Sequence, residues 1–323
     1  MVSNEISNSV NVLFDNPFQI EDIQVFDDET LHHLLTHASF GLTCCQLGYA
    51  LQGGAGPLTK RIKRILPNEQ RERFQEALHQ KIAPEERDHA REEILQGLFW
   101  ELIYWKKPEL YEELTAGEYL HPQIFQHLAS DLQGKKILDA GAGSGRASLE
   151  CLRARAQSIV AVDPSIGLLR ILKRKLAFMK EKPHLVLRPG RFEELPLENQ
   201  SVDIALSCSA FTATDEQGGE PGLAELERVT RPEGKIVIIW PRVQDHDWFR
   251  AHGFHYVSFP VQEEMCIHFR SPASAQRCAR LFYAHNPAIL DYLVDNQTAE
   301  LPFSVLGINP PRDYFWRNGD ERN

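Results

Sequence analysis

The sequence contains no apolar stretch fit to cross a bilayer, no CxxC pair, no internal repeat and no low-complexity segment. The nearest thing to a span, Leu31 to Leu51, carries His32, His33, His37 and Gln46 and is too polar for hydrocarbon. Positive charge is also scarce: 35 Lys and Arg stand against 45 Asp and Glu, a net charge of −10. A polyanion would meet net repulsion, so neither nucleic acid nor an anionic membrane is an expected partner. The six cysteines are scattered, which excludes a disulfide scaffold and a recognisable zinc site. With no secretory pattern at the start, they predict a reducing, cytoplasmic setting.

What is present is the composition of a globular protein, 42% hydrophobic and 25% charged, over 323 residues. That length suits a catalytic domain of ordinary size with additions at both ends. The expected division is a helical N-terminal region over 1–115, an α/β core over 116–270 and a helical extension over 271–323. In the first region an irregular arm precedes a helix from Glu29 to about Leu51, stopped by Gly53, Gly54 and Gly56. Further helices are predicted from Asn68 to Lys81 and from Pro84 onward, where Glu85 and Glu86 suit a first turn. Leu95, Phe99 and Ile103 recur on one face of the latter, and Trp100 and Tyr104 widen it.

Three features of this region admit a chemical reading beside a structural one. Lys60, Arg61, Lys63 and Arg64 alternate with Ile62 and Ile65, which reads as the wet face of an amphipathic helix. Cys44 and Cys45 could hold a soft metal, but apolar neighbours favour small core residues. His33 and His37 share a helical face, yet no third ligand follows at a recognisable spacing, so no metal is assigned.

From about His121 short apolar runs alternate with helical segments, the pattern of a mostly parallel, doubly wound sheet. The strand candidates are Lys136 to Asp139, Ile159 to Val162, Leu185 to Leu187, Val202 to Ser207 and Lys235 to Trp240. Tyr256 and Met265 to Phe269 could add an antiparallel edge. The tail from Ser271 reads as helical, then irregular. In such folds ligands lie beyond the carboxyl ends of the strands.

The chemistry concentrates in Lys136-Ile-Leu-Asp-Ala-Gly-Ala-Gly-Ser-Gly-Arg146, a strand running into a glycine-rich turn before a helix. Glycine permits positive φ and removes the Cβ that would hold a ligand away from the backbone. The helix behind it presents unpaired N–H groups. A second strand ends in Val160-Ala-Val-Asp163, placing a carboxylate at the neighbouring tip, where it can accept from both ribose hydroxyls. A helix N-cap before Pro164 is the structural alternative for Asp163.

Asp-x-Gly-x-Gly-x-Gly at Asp139 to Gly145 followed by Val-Asp-Pro-Ser at Val162 to Ser165 resembles the class I S-adenosylmethionine-dependent methyltransferases, in their small-molecule branch. Gly190-Arg-Phe-Glu-Glu-Leu-Pro196, Ser201-Val-Asp203 and Glu227-Arg-Val-Thr-Arg-Pro-Glu-Gly234 continue the resemblance in order. It implies a Rossmann-like fold with helical additions, S-adenosyl-L-methionine as cofactor and a small-molecule methyl acceptor. Gly141, Gly143 and Gly145 would then cradle the methionine part, Asp139 would order the loop, and Asp163 with Pro164 would meet the ribose. Arg191 and Phe192 would neighbour the adenine, and Ser207, opening Ser207-Cys-Ser-Ala-Phe211, would line the acceptor side. Arg191 departs from the family's usual acidic residue and has donors only.

A nicotinamide dinucleotide is the alternative cofactor, giving an oxidoreductase, though its fingerprint wants a small residue where Arg146 stands. A non-catalytic binding module on the same fold is a third reading. No catalytic acid or base stands out, as positioning and water exclusion supply most of the rate of methyl transfer. His246 could deprotonate a hydroxyl or be an ordinary loop histidine. Tyr111 and Glu112 could close over the donor or simply pack as a linker.

Overall fold

A computed structural model of the chain describes residues 16–36, 40–54, 56–179 and 184–319. The chain forms two compact units, Met1–Lys106 with His268–Leu301, and Lys107–Ile267 with Pro302–Asn323. Among the described residues no helix is long and apolar enough to cross a membrane.

The first unit is helical: α1 (Asp28–Thr36), α2 (Cys44–Ala50), α3 (Gly56–Ile65), α4 (Asn68–His79), α5 (Pro84–Gly97) and α6 (Phe99–Lys106), joined by α13 (Pro272–Phe282) and α14 (Pro287–Asp295). The helix predicted from Glu29 to Leu51 is two helices. Gly41 sits at φ +62 and Thr43 caps α2 anew, its hydroxyl accepting from Gln46 N at 3.2 Å. His37 lies outside the described residues, and no cluster able to hold a metal occurs among those described. Cys44 is half-buried and Cys45 exposed, not core residues as expected, because Leu47 and Ala50 take the buried face. Arg61 and Arg64 of α3 pair with Asp28 while Leu58 and Ile62 are buried, the expected amphipathic division. Trp100 stacks on Phe282 with centroids 5.3 Å apart.

The second unit opens with α7 (Pro108–Thr115) and α8 (Pro122–Leu132) and then alternates: β1 (Lys136–Ala140), α9 (Arg146–Arg153), β2 (Ser158–Val162), α10 (Ile166–Ala177), β3 (Leu185–Arg188), β4 (Val202–Cys208), α11 (Gly219–Val229), β5 (Thr230–Ile239), α12 (His246–Ala251) and β6 (His255–Ser258). Strands β7 (Cys266–His268) and β8 (Glu300–Pro302) fall where the chain passes from one unit to the other, and α15 (Phe303–Leu306) and β9 (Asp313–Asn318) complete the second unit. The main sheet has the order β3-β2-β1-β4-β5-β9-β6. Strands β1 to β5 are parallel, and their near-continuous apolar runs are what burial on both faces requires. Asp139 is in register with Ala161 on one side and Leu206 on the other. The strand order reverses between β1 and β4, so the ligand crevice of a doubly wound sheet falls above these two tips.

Strand β9 occupies part of the tail that reads as irregular. It runs antiparallel between β5 and β6. Asp313 and Arg317 break its apolar pattern, yet both are buried with partners. Asp313 accepts from Tyr256 Oη and Asn309 Nδ2, each at 2.8 Å. Arg317 pairs with Glu227, donates to His252 O at 2.9 Å and lies over the Phe254 ring. Met265 to Phe269 does not join the main sheet as anticipated; β7 pairs with β8 in a separate two-stranded sheet.

Breaking a buried ion pair from one side leaves an uncompensated charge. Arg317→Ala is therefore expected to lower unfolding free energy by about 3 kcal/mol, read from urea denaturation. A loss no larger than that of an exposed arginine would show that the pair does not hold β9.

Candidate active site

The turn after β1 is stitched to the tip of β2. Gly141 N and Ala142 N both donate to Val162 O, at 2.9 and 3.0 Å, and Gly143 N donates to Asp163 Oδ2 at 2.8 Å. Gly141, Gly143 and Gly145 have φ of +71, +53 and +94, a region closed to most side chains. Their roles differ. A Cβ on Gly141 would stand 2.5 Å from Ala210 Cβ and 3.0 Å from Phe192 Cζ, and one on Gly145 would strike Leu172. A Cβ on Gly143 would meet nothing within 4 Å. Two of the glycines therefore permit packing, and Gly143 keeps a patch of backbone open.

Two carboxylates flank that patch. Asp163, 7% exposed, accepts from Gly143 N and, through Oδ1, from Ser165 N at 2.8 Å. The cap of α10 is Ser165, whose hydroxyl accepts from Leu168 N, so Asp163 is not the N-cap; half-buried Pro164 lies between them. Asp139, 1% exposed, accepts from Ser148 Oγ at 2.6 Å, while its Oδ1 has no partner. Burial pushes both carboxyls up to about 6; the neighbouring charge of Asp163 adds to the rise at Asp139, and the Arg191 guanidinium moderates it at Asp163. Neither carboxylate has a cationic side chain at bonding distance among the described residues.

Phe192 lies across Gly141 and Gly222, its ring edge-on to Phe211 at 5.2 Å. Ser207 is fully buried, its hydroxyl accepting from Phe211 N at 3.2 Å, which fixes the turn after β4. The structure thus brings Asp139, the three glycines and Asp163, with Pro164 behind it, to the tips of β1 and β2, sets Phe192 against Gly141 and Arg191 within the field of Asp163, and buries Ser207 in the turn after β4.

Residues without a motif complete the surroundings. Glu118 forms an ion pair with Arg146 at the start of α9, and the Arg146 guanidinium lies 5.6 Å from the Trp240 ring. Arg146 Nη1 is buried without a partner. The Tyr111 phenol is held well above its ordinary range by burial, within the fields of Arg146, Glu118, Asp163 and Cys208. Burial likewise pushes the Cys208 thiol up to about 12. Helix α7, which carries Tyr111, is clamped to α10: Lys175 Nζ donates to Glu112 at 2.9 Å and to Ser144 O at 3.0 Å, and Arg174 pairs with Glu109 at 2.9 Å. His246 is neither loop residue nor neighbour of the turn. Its ring packs on Tyr256 and Phe315, and burial lowers its pKa.

Two hollows adjoin this region. One of about 730 Å³ lies along α7, α8 and α9, reaches Ser144 and Arg146, and has no strand-tip residue in its lining. The other, about 420 Å³, opens at the ends of β4 and β5.

Residues 137–234 match the family described as "Methyltransferase domain". An uncharacterized methyltransferase of Schizosaccharomyces pombe is 31% identical over 42% of this chain and 51% of its own. A demethylmenaquinone methyltransferase of Streptomyces avermitilis is 38% identical over 32% of this chain and 41% of its own. A tRNA U34 carboxymethyltransferase of Ectopseudomonas mendocina is 36% identical over 36% of each. The chain spans about half the length of the curated relatives it matches first. The matched segment, under a third of the chain, holds β1 to β4, the glycine turn and the first half of β5.

The buried carboxyls carry a pH signature. The folded protein binds the Asp139 proton more tightly than the unfolded chain, whose ordinary value is 3.8. That contribution is complete below about pH 4 and is lost as pH rises through about 6. Asp139→Asn should therefore be more stable than the native chain at neutral pH, by up to about 3 kcal/mol. The difference should vanish below about pH 4 in urea titrations; a difference independent of pH would mean that Asp139 is not the buried titrating group.

Proposed function

We propose that the chain transfers the methyl group of S-adenosyl-L-methionine to a small-molecule acceptor. The observation that carries this reading is the open backbone at Gly143 between two buried carboxylates without cationic partners. S-adenosylmethionine fits that donor set. It brings an ammonium, a sulfonium and a ribose diol, which supply the positive charge and the O–H donors that Asp139 and Asp163 lack. Asp139 Oδ1, unpartnered among the described residues, is suited to the ammonium side of the turn, and Asp163 to the ribose. Arg191 and Phe192 would border the adenine, the guanidinium lying along the base or donating to a ring nitrogen. When bound, the cofactor supplies an electrophilic methyl on a cationic sulfur. Tyr111 on its clamped helix and the Glu118–Arg146 pair exclude water and orient the groups at the β1 and β4 tips.

The charge pattern disfavours a nicotinamide dinucleotide. Its pyrophosphate would face the carboxylates of Asp139 and Asp163. The net charge of −10 supports a small molecule over a nucleic acid as acceptor. The free cysteines, three of them buried, accord with a reducing cytoplasmic setting.

Isothermal titration with S-adenosylhomocysteine tests the reading. Asp163→Ala should weaken binding by about tenfold to a hundredfold, since a hydrogen bond to a charged group is worth about 1.5 to 3 kcal/mol. An unchanged affinity would falsify the assignment. In the native chain the affinity should rise as pH increases through about 6, where Asp139 ionises to meet the ammonium and Asp163 to accept from the ribose hydroxyls. Gly143→Ala should fold with a penalty of about 1 to 2 kcal/mol, yet lose most of its affinity. Retained binding there would show that the ligand does not touch the turn at Gly143.

A further inference from the structure

The carboxyl ends of β4 and β5 hold the smaller hollow, about 420 Å³, which the cofactor residues named above leave free. Two non-glycine residues with left-handed backbone line it side by side, Ser209 at φ +51 and Trp240 at φ +52. The sheet stays paired up to this level, with Ser209 N donating to Ile239 O at 2.8 Å, and both chains then turn away. Such a conformation costs a side-chain-bearing residue about 1 to 2 kcal/mol and persists only where its surroundings impose it. Here they do. Trp240 N donates to Asp313 O and its indole to Asn309 O, both at 2.9 Å, while its ring meets the Phe303 ring at right angles. The hollow adjoins the glycine turn directly: Ala210, between lining residues Ser209 and Phe211, packs on Gly141.

We infer that this hollow takes the methyl acceptor, and that the acceptor is a planar aromatic acid presenting an ionised oxygen. The inference rests on the donor reading proposed above. Trp240, Phe211 and Ile308 give apolar and aromatic surface. Among the described residues of the lining, no carboxylate, imidazole, thiol, amine or phenol occurs; its charged group is Arg242. That guanidinium is fixed through Nε and Nη2 on both oxygens of Asp245, at 2.7 and 3.0 Å. Asp245 is 3% exposed, whereas the Arg242 side chain is 40% exposed, so the charge offered to a ligand is positive.

Two consequences follow for the acceptor. An amine would meet a cation and no acceptor carboxylate, which disfavours it. An aliphatic alcohol would need a base, and none lines the hollow. An acidic oxygen needs neither, because it loses its proton to water before binding and the guanidinium favours the anion. In the step itself a lone pair of that oxygen forms the bond to the methyl carbon as the carbon–sulfur bond of the sulfonium donor breaks, its electron pair remaining on sulfur. Anion and cation are both neutralised, and no proton moves.

The test titrates the full chain, preloaded with S-adenosylhomocysteine, with hydroxynaphthoate, naphthylmethylamine and cyclohexanol in parallel. Hydroxynaphthoate should bind at least about tenfold more tightly than the other two. Arg242→Gln should weaken it about tenfold and leave S-adenosylhomocysteine binding unaltered. Because that variant strands Asp245, the double variant Arg242→Gln with Asp245→Asn keeps the contact neutral and should show the same loss. Ile308→Trp, which fills the mouth, should abolish hydroxynaphthoate binding. No hydroxynaphthoate binding, equal affinity for the amine, or binding untouched in the double variant and in Ile308→Trp overturns the acceptor assignment while the donor reading stands. Failure of S-adenosylhomocysteine itself to bind overturns the donor reading and this inference with it.

Discussion

The hydrogen bond from Gly143 N to Asp163 is the contact on which the site depends. It joins the turn after one parallel strand to the tip of the next, beside the pair of N–H groups that share Val162 O. The register of β1 on β2, with Ala140 opposite Val162, brings these groups level. Asp163 is consequently a buried clamp on the turn, beside the open backbone at Gly143. In the proposed reading, a ligand that engages this carboxylate acts on the conformation of the glycine turn through the same atoms.

The second constraint is electrostatic. Two carboxyls buried close together, with no cation bonded to either among the described residues, are an unfavourable feature of the fold. Arg191 eases this at Asp163 only through its field, while Arg146 is taken by Glu118, and Lys175 by Glu112 and Ser144 O. Stability given up in this way is commonly found where a ligand restores it.

The glycine turn, the two acidic strand tips and the parallel strands were legible because each rests on local chemistry: positive φ without a Cβ, and apolar runs that only a covered sheet can bury. Glu118 carries no such mark, and Tyr111 read equally as a lid or as linker packing. Tertiary contacts decide their place, with Lys175 and Arg174 clamping α7. Strand β9 was hidden for a different reason. Asp313 and Arg317 look like surface residues in one dimension, and their partners Tyr256, Asn309 and Glu227 are remote or unremarkable in sequence. The break between α1 and α2 turned on Gly41 and the Thr43 cap, which a long apolar period obscured. Ser207 lies at the end of β4 as expected, fully buried, with its hydroxyl accepting from Phe211 N.

The late position of β9 has a bearing on synthesis. Strand β5 leaves the ribosome well before Asp313–Asn318, so for that interval its outer edge is bare, and β6 has no neighbour to pair with until β9 arrives between them. An unpaired apolar edge of this kind is a template for a second nascent chain. Asp313 and Arg317 bury their charge against Tyr256, Asn309 and Glu227, all made earlier, so the strand that covers both edges docks onto partners already present.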